Sequence, residues 1–324
     1  MMRTFRTLVL AAGALYASAF HVAGQDYPNA PIRLIVAFAA GGSSDVLARA
    51  VAKAMGEGLG QTVVVENRPG AGGNIGAQSV ARADPDGYTV LFGTNGTLAV
   101  GPALYKDLKY DPVRDLAPVG MLHKLPNVLV IHPSIPASNL RELIAYARSK
   151  PGELTFASAG VGSASHLAGE LLKAAANVDI LHVPYRGGGA AMPDLLSGRV
   201  SMMIETIPNA LPAVRSGTLR ALGVTTPMRS SSAPDLPTLA EAGLPDFDVT
   251  SWTGLFVPAG TPRAIVERLN AETLRIARDP AYLEQLKTMG TDVAVSTPEA
   301  LGAFMVKDIA KWTVAVERSG ARAQ

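Results

Sequence analysis

The chain has 324 residues, 48% hydrophobic and 17% charged, which is long enough for two lobes with cores of their own and too apolar to stay disordered. Lys and Arg number 29 against 27 Asp and Glu, and no basic patch is interleaved with aromatics, so nothing here marks a nucleic-acid partner. The absence of cysteine removes disulfides, thiolate metal sites, thiol nucleophiles and a lipidated amino-terminal Cys.

Residues 1–19 read as a secretory signal peptide. Arg3 and Arg6 precede the apolar run Leu8 to Tyr16 and the small-residue edge Ala17-Ser18-Ala19, with Val22-Ala23-Gly24 as an alternative cleavage edge. The run falls short of the roughly 20 residues that span a bilayer. Its removal leaves 27 charges of each sign, predicting a near-neutral, soluble protein in the bacterial periplasm.

Ile32 to Phe38 predicts a strand, and Val46, Leu47, Ala50, Val51, Ala54 and Met55 then recur at helical spacing until Gly58 and Gly60. Between them lies Ala39-Ala40-Gly41-Gly42-Ser43-Ser44-Asp45. Ser43, Ser44 and Asp45 are helix-capping residue types, Gly41 and Gly42 admit a close approach, and a helix start attracts anions through its free N–H groups. An ordinary loop before a helix has the same composition. Val63 to Val65 predicts the next strand; the glycines of Glu66 to Gly76 miss the dinucleotide spacing because Ile75 stands at the third position. Asp84 to Gly87 is a turn and Tyr88 to Phe92 a strand. Thr94 and Asn95 then fall where a third ligand-facing loop would be, with plain turn chemistry an equal reading. The apolar runs Val119 to Leu122 and Val128 to Ile131, split by Leu125-Pro126-Asn127, predict a crossing into a second lobe.

An amphipathic helix over 136–148, capped by Ser138 or Asn139, and a strand from Leu154 to Ser158 open that lobe. The stretch from Ser158 to His166 then repeats the first loop. Gly162-Ser163-x-x-x-Leu167-Ala168 matches Gly42-Ser43-x-x-x-Leu47-Ala48, and the runs beginning at Ile180 and Gly198 match those at Val63 and Gly87 in the same order. Three recurring strand–loop–helix units predict two similar α/β lobes, with a ligand at the carboxyl ends of parallel strands. The candidate ligand residues are Ala39, Ala40, Gly41, Gly42, Ser43, Asp45, Thr94 and Asn95 from one lobe. The other adds Ser158, Gly160, Gly162, Ser163 and His166, then Tyr185 and Arg186, read as a clamp beside a glycine run or as a turn with a solvated arginine, and Glu205. For His166 a surface or satisfied core position is the ordinary alternative, and Glu205 either holds a polar group of the ligand or orients a loop. Leu219 to Val224 is a strand, Trp252 to Pro258 returns the chain to the first lobe, and helices follow over 262–277, 281–289 and 298–318. Trp252 is core by default or a wall of the cleft. No Gly-x-Ser-x-Gly elbow, His-Glu-x-x-His helix or Asp-rich calcium loop occurs, so no catalytic residue, metal or cofactor is expected.

Several ordered motifs resemble the Bug proteins, the periplasmic receptors of tripartite tricarboxylate transporters. They are Arg33 to Asp45, Glu66 to Asn74, Asp86-Gly87-Tyr88, Ser158 to His166, Val183 to Gly189, Leu211 to Gly217 and Pro237 to Gly243. The resemblance runs from about Tyr27 to the end. It implies a type II periplasmic binding-protein (Venus flytrap) fold, with one lobe from 27–124 plus 245–324 and the other from 125–244. It also implies a monomer that closes on a small organic carboxylate, held by backbone amides of the loops Ala39 to Asp45 and Ser158 to His166, and delivers it to membrane transporter subunits. Where relatives carry an Asp after a Met-Met-Phe-like strand, Glu205 and Thr206 stand here. The same closure suits a ligand-loaded partner of a sensor kinase, and a polar dyad in the cleft would favour a periplasmic enzyme.

Overall fold

The computed structural model describes residues 27–105, 107–230 and 233–319, so the expected signal peptide lies outside the described residues. Strands β1 (Ile32–Val36), β2 (Val63–Asn67) and β3 (Thr89–Thr94) are parallel, in the order β2-β1-β3. Helices cover this trio because the strands bury side chains on alternate faces. Ile32, Leu34 and Val36 pack with Leu47, Val51 and Met55 of α1 (Ser43–Leu59), while Ile35 packs with Ala77 and Val80 of α2 (Asn74–Ala81). Gly58 lies inside α1; Gly60, at φ +67°, ends it in the left-handed conformation that glycine adopts without strain.

A wide helical turn over Gly96–Val100 and α3 (Gly101–Leu104) lead to β4 (Leu116–Ile131). The two apolar runs form one 16-residue strand, and Leu125-Pro126-Asn127 does not break it. β4 pairs with β9 (Thr250–Pro258) from Leu116 to Pro126, then from Asn127 to Ile131 with β7 (Met202–Thr206). Pro126, which has no N–H to donate, stands at that change of partner, where the ladder is interrupted anyway. The expected lobe boundary at 124/125 falls inside this strand.

After α4 (Leu140–Ser149), whose cap Asn139 accepts the Glu142 N–H at 3.0 Å, come β5 (Thr155–Ser158), α5 (Ala164–Ala176), β6 (Leu181–Pro184) and α6 (Gly188–Leu196). β6, β5 and β7 form a second parallel trio in the order β6-β5-β7, the same arrangement as the first. Each trio gains one antiparallel neighbour from the far half of the chain, β9 beside β3 and β4 beside β7. Then follow α7 (Ile207–Arg215), β8 (Arg220–Val224), which also pairs β4, α8 (Arg263–Ile276), α9 (Pro280–Met289), the short β10 (Asp292–Val293) and α10 (Pro298–Ser319). α10 lies on β4, on the Gly96–Val100 turn and on α5, so it spans both halves. Among the described residues no helix is long and apolar enough to cross a membrane.

Candidate functional site

The first loop reaches the cleft as backbone. The hydroxyl caps expected at Ser43 and Ser44 are absent: Gly42 is the cap residue of α1 and no side chain accepts from the helix's first amides. Asp45 instead turns back, accepting Gly41 N–H at 3.0 Å, Arg49 Nε at 3.0 Å and Asn67 Nδ2 at 3.0 Å. Asn67 Nδ2 also donates to Phe38 O at 3.0 Å, tying β2 to the loop. Burial alone would push the Asp45 carboxyl up, but hydrogen bonds from Arg49, the Gly41 N–H and Asn67 outweigh it and hold the group below the usual carboxylate range. Asp45 therefore fixes the loop from behind. The amides of Ser43 and Ser44 are left at the positive end of a 17-residue helix without an acceptor among the described residues.

The second loop is pinned differently. Ser163 caps α5, its Oγ accepting His166 N–H at 3.2 Å, while Ser165 Oγ accepts Ala159 N–H at 2.9 Å. His166 is buried in the first turn, its Nδ1 accepting Gly162 N–H at 3.2 Å and its ring stacked on His182 at 4.1 Å. Ser158 Oγ meets His182 Nε2 at 2.6 Å, yet Ser158 is fully buried and neither residue faces the cavity, so the pair braces the loop from beneath. Burial lowers the imidazole pKa of His166 to about 4 and, with the neighbouring His166 and Lys173, that of His182 to about 3. Both rings are neutral at pH 7. The Ala164 and Ser165 amides, like those of α1, have no acceptor among the described residues.

The two helix starts open on one cavity of about 650 Å³, open solvent at its mouth included. Of the expected residues Ala39, Gly42, Ser43, Thr94, Asn95, Ser163 and Glu205 line it. Gly160, Tyr185 and Arg186 line a neighbouring groove with Phe38 and Ala159. Tyr185 donates to Asp194 Oδ2 at 2.7 Å and Arg186 is exposed. Ala40 and Gly41 are exposed on the loop's outer side, and Asp45, Ser158, Gly162 and His166 stand behind the wall. Asn95 is 2% exposed and its Nδ2 has no hydrogen-bond partner, an orphan donor in the cavity wall. Glu205 is the one ionisable side chain among the described lining residues.

Sequence reasoning did not assign the floor. Asn127, Ser251 and Thr253 come from the paired strands β4 and β9, with Ser251 Oγ donating to Asn127 Oδ1 at 2.9 Å and Asn127 Nδ2 to Val249 O at 2.9 Å. The one signal was a polar Asn inside apolar runs. Trp252 is both core and wall: it is 1% exposed, lines the cavity and donates from Nε1 to Asp308 Oδ2 at 2.6 Å.

The halves touch across this cavity. Ala39 N–H donates to Arg186 O at 3.1 Å and Tyr105 Oη to Val161 O at 2.6 Å, while Gly42 lies against Gly189 of α6. Two amide-lined loops meeting over a cavity invite comparison with known proteins. Residues 47–321 match the family model of the tripartite tricarboxylate transporter family receptor. The chain belongs to this receptor family. It is 39% identical over 302 residues to protein BugT of Bordetella pertussis, covering 93% of each chain. A Rhodopseudomonas palustris protein solved with adipate superposes on the receptor with TM-score 0.89 at 35% identity, covering 91% of this chain and 99% of the other. MatC from the same organism, solved with bound malate, superposes at 0.86 with 37% identity, covering 90% and 100%. The receptor thus has the two-lobed periplasmic binding-protein fold, and its relatives are solute-binding proteins.

Proposed function

We propose that this receptor works in the periplasm, as a monomer, capturing a small organic carboxylate between lobes formed by 27–124 plus 245–324 and by 125–244, and delivering it to a tripartite tricarboxylate-type membrane transporter. One observation carries the reading: unpartnered amides at the starts of α1 and α5, from opposite halves, share a cavity with the orphan Asn95 Nδ2. The relatives solved with adipate and malate support the ligand class. A hydrogen bond to a charged group contributes about 1.5–3 kcal/mol, so three such donors approach the roughly 8 kcal/mol of micromolar binding before ordering costs. Because both halves supply donors, the ligand favours the closed form over the open one.

A thermal-shift panel of dicarboxylates, tricarboxylates, aromatic acids, amino acids and neutral sugars tests the proposal. A cognate acid at a hundred times its Kd stabilises the protein by about 2.7 kcal/mol. A response to sugars and to no acid refutes the carboxylate reading. Delivery is tested by reconstituting uptake with the membrane subunits, where ligand-loaded receptor is required for transport.

A further inference from the structure

The cavity wall is uneven in charge. Amide donors and the Asn95 Nδ2 line it, and no Lys or Arg does among the described residues. Glu205, 6% exposed, is the one carboxyl group in that wall. Its Oε1 accepts Thr206 N–H at 2.7 Å and Thr206 Oγ1 at 3.0 Å. Its Oε2 has one donor at hand, Asn209 Nδ2, a buried amide that lies near it without another partner. Gly188, another lining residue, leaves room for this oxygen, since a Cβ there would sit 1.9 Å from Oε2. Burial pushes the Glu205 carboxyl up, against the Thr206 hydrogen bonds and the nearby Asn209 amide that lower it. A buried carboxyl with few donors is costly, and a second carboxylate beside it would add like-charge repulsion in a low-dielectric site.

We infer that Glu205 is the specificity residue of the cavity, selecting a monocarboxylate whose far end carries an N–H donor, such as an acid amide or an amino acid, over the matching dicarboxylate. This rests on the carboxylate reading above and deepens it. The ligand's acid group lies at the amides of α1 and α5, and its far N–H adds a hydrogen bond to Oε2. A role confined to bracing the turn after β7 would need only the Oε1 bonds to Thr206 and would not sort ligands by the charge of their far end.

The test is titration calorimetry with near-isosteric pairs: succinate, glutarate, adipate and terephthalate, each against its half-amide. In these pairs one carboxylate oxygen becomes NH2. The wild-type protein is expected to bind the half-amide of the best-fitting length at least tenfold more tightly than the diacid. Glu205→Gln keeps the shape and an acceptor for Thr206 but removes the charge, and should shift that ratio at least tenfold towards the diacid. Gly188→Ala displaces the Oε2 end and should erode the preference in a second, independent way, with the unliganded melt and circular dichroism of both variants checking the fold. Tighter wild-type binding of the diacid, or an unchanged ratio in Glu205→Gln, overturns the inference while the carboxylate reading stands. Failure of every acid in this panel and the one above overturns both.

Discussion

α1 and α6, from opposite halves, touch through two glycines, and Gly189→Ala tests that contact without touching either core. A Cβ at Gly189 would lie 2.7 Å from Gly42 N and 2.8 Å from Gly41 C, all of it backbone that cannot rotate away. Overpacking of this kind costs about 1–3 kcal/mol. If ligand binding closes the halves, as proposed, the cost falls on the closed form and weakens ligand binding by roughly 5- to 150-fold, at about 1.4 kcal/mol per tenfold. Within the open protein the effect has the opposite sign. Position 189 lies in the first turn of α6 without a positive φ, and replacing a glycine by alanine at a compatible site stabilises by about 0.4–1 kcal/mol. Calorimetry with the acid selected by the thermal panel and urea unfolding of the unliganded protein measure the two effects separately. Unchanged affinity would show that ligand binding does not draw these loops together; a less stable unliganded variant would show that Gly189 is needed within its own lobe.

Asn95→Ala removes a buried donor with no partner, so unliganded stability should not fall, whereas affinity for the acid should drop roughly 10- to 150-fold if Nδ2 donates to it. Equal affinity would place Asn95 outside the ligand contacts. Ser163→Ala deletes the cap that accepts His166 N–H and should cost about 1 kcal/mol in unfolding experiments. Acid should weaken the fold through His123, which is fully buried between Thr253 Oγ1 at 2.7 Å and Tyr282 Oη at 2.6 Å. Burial lowers its pKa from 6.5 to about 3, so below pH 6.5 the unfolded chain takes up a proton that the native ring refuses. Stability is complete above pH 6.5 and declines as pH falls towards 3, by about 2 kcal/mol at pH 5 from this group. Urea midpoints at pH 7 and pH 5 should separate accordingly, and His123→Gln should narrow the gap; an identical gap would assign the acid sensitivity elsewhere.

Much of the scaffold could be read from short-range signals. An apolar run, a glycine pair and a helical repeat specify strand, loop and helix locally, and the same spacing at Gly42-Ser43 and Gly162-Ser163 announced that the unit occurs twice. Those signals depend on neighbours a few residues apart, so they survive without tertiary information, and they extended to Ser163 and Asn95 as cavity residues. They failed where several residue types satisfy one local rule. Ser43, Ser44 and Asp45 all suit a helix start, and bonds from the Gly41 N–H, Arg49 and Asn67 of β2 turn Asp45 inward and leave the amides free.

What the chain order cannot express is which distant strands become neighbours. Asn127 and Ser251 are 124 residues apart and meet because β4 and β9 pair antiparallel, giving the cavity a polar floor that neither segment announces alone. Gly188, at the start of α6, likewise matters because Glu205 on β7 needs the space a side chain would occupy. Local periodicity determined the two halves and their anion-attracting loops. Long-range pairing decided how they face one another and which single carboxyl group shares their cavity.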